Sequence, residues 1–76
     1  MKLRDYMKQN NFTTKDKILF AERCQRNQKY LYLVELGHKR PSPALALVIE
    51  KETNGHVSRY DMRPDIYPRY DIKPAN

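Results

Sequence analysis

Three neighbouring polar residues have side chains that can recognise the edges of DNA base pairs. Gln28 carries an amide that can pair bidentately with adenine, and Lys29 carries an ammonium group that can donate to guanine. Tyr32 follows one helical turn later, where its ring can contact a thymine methyl group or its hydroxyl can donate to a phosphate. These roles require all three side chains to project from a helix into a groove, so the local structure decides whether they are available.

The surrounding segment has the pattern of two short helices joined by a tight turn. The first helix is predicted over residues 17–24, the turn over 25–27 and the second helix over 28–36. Ala21 lies where the helices must cross closely, and Asn27 is placed to cap the second helix through its side-chain oxygen. The shared apolar seam is predicted to contain Phe20, Cys24, Leu31 and Val34. This spacing favours a helix-turn-helix over a generic pair of amphipathic helices.

Two residues of the turn depart from the usual helix-turn-helix pattern. Gln25 occupies a position where Gly is common, because the chain there often needs a positive φ angle. Arg26 follows where an apolar residue would usually enter the core. The generic helical pair therefore remains an open alternative on these residues alone.

The charge of the chain favours a polyanionic partner. The 76 residues carry a formal net charge of +6, which suits nucleic acid better than an acidic small substrate. Residues 15–40 contain seven basic and three acidic side chains, a net of +4, so the charge coincides with the predicted motif. Within this segment we expect phosphate contacts, which position a protein without specifying sequence, from Lys17, Asn27, Lys39 and Arg40.

The remaining helices are predicted from capping signals and apolar spacing. Residues 2–10 form a first helix, and Thr13 or Thr14 caps the next one. Ser42 followed by Pro43 begins a fourth helix, which ends at residues 54–55. A short fifth helix runs from a capping box at residue 58 through residue 62. We therefore predict an all-α, compact domain of four to five helices.

The chain is predicted to divide at its last proline-rich stretch. Residues 1–62 form the helix-turn-helix domain, and residues 63–76 form an extended Pro/Tyr-rich tail that is partly packed or mobile. Ile66 and Tyr67, in the first half of the tail, are expected to fold back onto the core.

The residue inventory argues against an enzyme. The two histidines, His38 and His56, lack the spacing of a metal pair or of a base beside a nucleophile, and the chain has no Gly-rich phosphate loop. Cys24 is the single cysteine, so no intrachain disulfide or cysteine metal cluster is expected. We expect no catalytic residues, no metal and no cofactor. The sequence shows no signal peptide and no membrane-spanning run, which predicts a cytoplasmic location and no membrane partner.

Several stretches also carry a family resemblance. They are residues 20–24, 30–32, 39–46, 49–50, 55–59 and 62–68, of which the last, with Arg63-Pro64-Asp65, is the most specific. The region from about Leu19 to Pro68 resembles the Cro-like repressors of lambdoid prophages, in particular their YdaS-type helix-turn-helix branch. The resemblance implies a lambda-repressor-like domain that binds operator DNA as a transcription regulator in a bacterial host.

Two partner hypotheses follow. In the first, the protein binds double-stranded operator DNA, at the nucleoid, and does so as a homodimer, because one short reading helix rarely gives enough specificity alone. In the second, the protein is an antitoxin or interaction module whose Pro/Tyr-rich tail orders on a toxin or other protein partner. The two functions can coexist.

Overall fold

A computed structural model describes residues 1–67 of the chain, and within that range every regular element is an α-helix. The helices in chain order are α1 (Leu3–Gln9), α2 (Thr14–Arg23), α3 (Gln28–Glu35), α4 (Pro43–Glu52) and α5 (Arg59–Met62). This architecture confirms the predicted small helical domain.

Side-chain caps determine where α2 and α3 begin. Thr13 caps α2 in a capping box: its Oγ1 accepts from the Asp16 backbone N–H at 3.2 Å, and the Asp16 carboxylate accepts from the Thr13 N–H at 2.9 Å. Asn27 caps α3 as predicted, since its Oδ1 accepts from the Lys29 backbone N–H at 2.7 Å. The starts of α4 and α5 are capped in the same way by Ser42 and Ser58.

The first four helices end in a shared C-terminal motif with one residue in the left-handed region. After α2, the Arg26 N–H donates to the Ala21 carbonyl and the Gln25 N–H donates to the Glu22 carbonyl, both at 3.0 Å. This pair of bonds is the Schellman motif, which satisfies carbonyls that the helix itself leaves unpaired. The left-handed residue at this position is Asn11 (φ 54°), Gln25 (φ 56°), Gly37 (φ 82°) or Asn54 (φ 54°), and after Asn54 the next residue, Gly55, also has a positive φ of 84°.

A single apolar core joins the five helices. The predicted seam between α2 and α3 is buried, and Ala21, where the two helices were expected to cross, is 2% exposed. The largest apolar side chains that are almost fully enclosed are Phe20, Leu45, Ile49 and Val57. Thr53 is also enclosed, and its hydroxyl donates to the Ile49 carbonyl at 2.8 Å, so this buried polar group is satisfied.

Residues 63–67, the part of the predicted tail that the structure describes, turn back toward α5. The Tyr67 N–H donates to the Arg63 carbonyl at 2.8 Å, and the Tyr67 ring meets the Tyr60 ring edge-on at 6.2 Å. Tyr67 thus packs on Tyr60 of α5, whereas Ile66 is exposed. The second half of the tail lies outside the described residues. Among the helices of residues 1–67, none has the length and apolarity required to cross a bilayer.

Candidate nucleic-acid interface

Helix α3 has one buried face and one face in solvent. Leu31 and Val34 point into the core, whereas Gln28 and Lys29 in the first turn are exposed. Tyr32 is 47% exposed, although it lies in the middle of the helix. Side chains four residues apart are neighbours on a helix surface, so Gln28 and Tyr32 lie on the same stripe. The structure therefore places all three predicted base-contacting residues on the solvent side.

The turn before α3 keeps its geometry without a glycine. Gln25 adopts the left-handed conformation that the position requires, at φ 56°. Arg26 is exposed and does not enter the core; its Nη1 donates to the carbonyls of Gln25 at 3.1 Å and Cys24 at 3.4 Å. A cation at the C-terminal end of α2 also suits the partial negative charge of the helix dipole there.

An ion pair connects α2 to the far end of α3. The Lys17 Nζ lies 3.1 Å from Oε2 of Glu35, whose side chain is only 6% exposed. A small cavity of about 10 Å³ brings this pair next to two residues of the solvent stripe, Gln28 and Tyr32. Lys17, predicted as a phosphate contact, therefore lies beside two of the predicted base contacts. Its ammonium group, however, is already paired with Glu35.

Sequence reasoning missed the special position of Glu35. It was counted only as one of the acidic residues within the basic segment, yet it follows the buried Leu31 by four residues. That spacing puts a carboxylate beside the core-facing stripe, where a charge needs a partner. The partner, Lys17, is 18 residues away in sequence and carries no local sign of the contact.

Lys39 and Arg40 lie in the loop beyond the other end of α3 and are exposed. They line a groove of about 480 Å³ together with Lys2 and Arg4 at the start of the chain. The Arg40 Nη1 lies 3.4 Å from Oδ2 of Asp65, but both side chains are largely in solvent, so this ion pair contributes little to stability.

The four predicted phosphate contacts do not form one patch. Asn27 lies at the start of α3, where its side-chain oxygen caps the helix, and Lys17 is close to the adjoining stripe. Lys39 and Arg40 lie beyond the helix end, and an eight-residue helix is about 12 Å long. The candidate interface is therefore α3 with Asn27 at its N-terminal end and the cations Lys39 and Arg40 beyond its C-terminal end.

One comparison with known proteins finds a relative. The chain is 48% identical over 40 residues to a protein of Escherichia coli (strain K12) described as a prophage transcriptional regulatory protein. The similar segment is 53% of this chain and 61% of that relative, so the match spans less than two thirds of the relative's length. No protein-family profile matches the chain, and no solved structure matches it at a significant level.

Proposed function

We propose that this protein is a sequence-specific DNA-binding transcription regulator, a Cro-like prophage repressor, that inserts α3 into the major groove of an operator. The observation that carries the proposal is the division of α3 into a buried face and a solvent stripe that contains Gln28 and Tyr32, with Lys29 beside it. The similarity to a prophage transcriptional regulatory protein supports it independently.

In the proposed complex, the first turn of α3 meets the base edges. Gln28 pairs with an adenine and Lys29 donates to a guanine, which are the base edges that best match an amide and an ammonium group. Tyr32 lies one turn deeper along the stripe and adds a contact from its ring or its hydroxyl. Because Leu31 and Val34 on the opposite face are buried, the helix can enter the groove without exposing its core side.

The flanking polar residues hold the phosphates. Lys39 and Arg40 lie past the C-terminal end of α3, and Asn27 marks its N-terminal end, so they can contact backbone on the two sides of the groove. Lys17 stays a predicted phosphate contact, but its ammonium group would first have to leave Glu35.

We also propose an oligomeric state, a mode of action and a location for the protein. We expect a homodimer on a pseudo-palindromic operator, because an eight-residue reading helix contacts few base pairs. The protein acts by binding, not as an enzyme, and requires no cofactor. Its place of action is the cytoplasm, on the DNA of the bacterial nucleoid.

Selection of bound sequences from a random DNA pool tests the proposal with the full chain. We expect enrichment of an inverted repeat and steep weakening of binding with salt, since several Lys and Arg contacts release counterions. A Q28A/Y32A variant changes only the solvent stripe and should enrich no sequence, whereas K51A, an exposed lysine on α4, should select the same repeat.

A wild-type chain that enriches no sequence would contradict the proposal. If that chain instead formed a stoichiometric complex with a partner protein, and truncation after Pro68 abolished the complex, the antitoxin hypothesis would be favoured. A truncated chain that still binds DNA with the same salt dependence would show that the tail is dispensable for operator binding.

A further inference from the structure

Glu35 carries a carboxylate that the protein encloses and only half satisfies. One oxygen, Oε2, accepts from the Lys17 ammonium at 3.1 Å. The other, Oε1, is buried, and among the described residues 1–67 it has no hydrogen-bond partner. An unpaired buried acceptor costs free energy, so such atoms in folded proteins need an explanation.

The neighbours of this carboxylate are residues of the proposed reading stripe. Glu35 follows Tyr32 by three positions, and helical side chains lean toward the helix N-terminus, so the carboxylate lies over the turn that contains Tyr32. Both residues line the cavity of about 10 Å³, together with Lys17 and Gln28. A space this small holds no ligand, and the groups around it are therefore close neighbours.

We propose that Glu35 is a positioning residue for DNA recognition, and this inference rests on the proposed function. Lys17 fixes the carboxylate through Oε2, and Oε1 accepts a hydrogen bond from the Tyr32 hydroxyl when α3 is in the groove. This bond fixes the orientation of the Tyr32 ring on the surface of α3. The ring in turn fixes the side chain of Gln28, which lies one turn earlier on the same stripe. The Lys17 charge is neutralised by Glu35 in this arrangement, so this inference replaces the phosphate contact predicted for Lys17 with the role of a brace.

A double-mutant cycle between Y32F and E35Q tests the proposed hydrogen bond in the full chain. The measurement is the ratio of affinities for the selected operator and for random DNA. We expect each single variant to lower this ratio by about tenfold, the size expected for a hydrogen bond to a charged acceptor, and the double variant to lower it no further. If the hydroxyl instead donates to a phosphate, Y32F lowers both affinities equally and the E35Q effect adds to it, which would overturn the proposal.

A further variant separates positioning from simple folding effects. K17M/E35M replaces the ion pair with apolar side chains, an exchange that often preserves stability. A double variant that melts like wild type should still discriminate operator from random DNA poorly, because Oε1 is gone. Full discrimination by this variant would show that the carboxylate has only a structural role.

The salt dependence of K17M/E35M supplies an independent readout, because this variant removes both charges of the pair and leaves no unpaired carboxylate beside the DNA. Loss of a phosphate contact lowers the slope of log affinity against log salt by about one. We expect R40A to lower it in this way and K17M/E35M to leave it unchanged. A lower slope for K17M/E35M would place Lys17 on a phosphate and overturn the brace. Wild-type protein without any operator preference would refute the proposed function, whereas preference retained in E35Q and Y32F would refute this inference alone.

Discussion

Arg63 donates a hydrogen bond from its Nη1 to the carbonyl oxygen of Pro41 at 2.8 Å, across 22 positions of the chain. Pro41 is buried in the loop between α3 and α4, directly after the proposed phosphate contacts Lys39 and Arg40. The Arg63 Nε and Nη2 also meet the two carboxylate oxygens of Asp65, at 3.1 and 2.9 Å. One guanidinium therefore links the end of α5 to a loop of the proposed DNA interface.

Removing this guanidinium should destabilise the fold. We expect R63A to lower the melting temperature by several degrees, because the Pro41 carbonyl loses a charged donor. Thermal melts measure the change, and R4A, an exposed arginine on α1, is the matched control with an expected effect within about 0.5 kcal/mol. R63K keeps the charge but lacks the planar fork, so a wild-type melt for R63K would show that the several-point geometry is unimportant.

The stability of the protein should fall at acid pH through its paired carboxylates. The Arg63 guanidinium lowers the pKa of Asp65 from an ordinary value of 3.8 to about 2. A group with a depressed folded pKa stabilises the fold above its unfolded pKa, and this stabilisation is lost as pH falls through the folded pKa. Hydrogen bonds from Thr13 also lower the pKa of Asp16, which acts in the same direction.

The measurement is the melting temperature between pH 5 and 2 (about the span over which such groups lose their charge). We expect wild-type protein to lose stability mainly below about pH 4, and D65N to lose less over this interval because it has no carboxylate to protonate. Identical profiles for wild type and D65N would show that the Arg63–Asp65 pair does not contribute.

Gln25 should be replaceable by glycine with a gain in stability. A non-glycine residue in the left-handed region costs about 1–2 kcal/mol, and glycine loses part of this advantage through its greater freedom in the unfolded chain. Because Gln25 has a φ angle of 56°, we expect Q25G to raise the free energy of unfolding by about 0.5–1 kcal/mol. Q9G, in helical conformation in α1, should instead lower it by about 1 kcal/mol. Destabilisation by Q25G would mean that the Gln25 side chain makes a contribution larger than the backbone strain.

Local signals explain why the helices could be predicted from the sequence. Ser42 followed by Pro43 marks the start of α4, and Asn54 marks its end, because these residue types satisfy backbone groups in their immediate neighbourhood. The buried face of α3 follows from the same short-range spacing. The exposure of the three candidate base contacts could be predicted because they occupy the opposite side of that helix.

The long-range polar contacts could not be predicted in this way. Lys17 meets Glu35, and Arg63 meets the Pro41 carbonyl, only after the helices have packed against one another. Nothing in the spacing of these residues distinguishes a paired lysine from one that is available to phosphate. The assignment of Lys17 therefore depends on tertiary structure, whereas that of Gln28 depends on helix phase.

Leu31 should be essential for the packing of α3 on α2. It is 3% exposed, and L31A is expected to cost about 2–5 kcal/mol, a large part of the roughly 5–15 kcal/mol that stabilises a typical domain. L19A removes the same atoms from a side chain that is 41% exposed, so it should melt within a few degrees of wild type. A similar melt for L31A would mean that the helix phase is wrong.

Gln28 and Arg40 should differ in the kind of DNA binding that they support. Q28A removes a base contact, so it should cost about 1–3 kcal/mol on the selected operator and little on random DNA. R40A removes a phosphate contact from the loop beyond α3, so it should weaken both kinds of binding by similar factors and lower the salt slope by about one. Titrations of both DNAs at several salt concentrations measure these effects, with K51A on α4 as the control for a lost surface charge.

The contrast between Gln28 and Arg40 follows from their positions: Gln28 is in the first turn of α3, whereas Arg40 follows the helix end and faces Asp65. If R40A abolished discrimination while Q28A preserved it, α3 would lie differently in the groove, and the assignment of base and phosphate contacts would be wrong even though the fold is right.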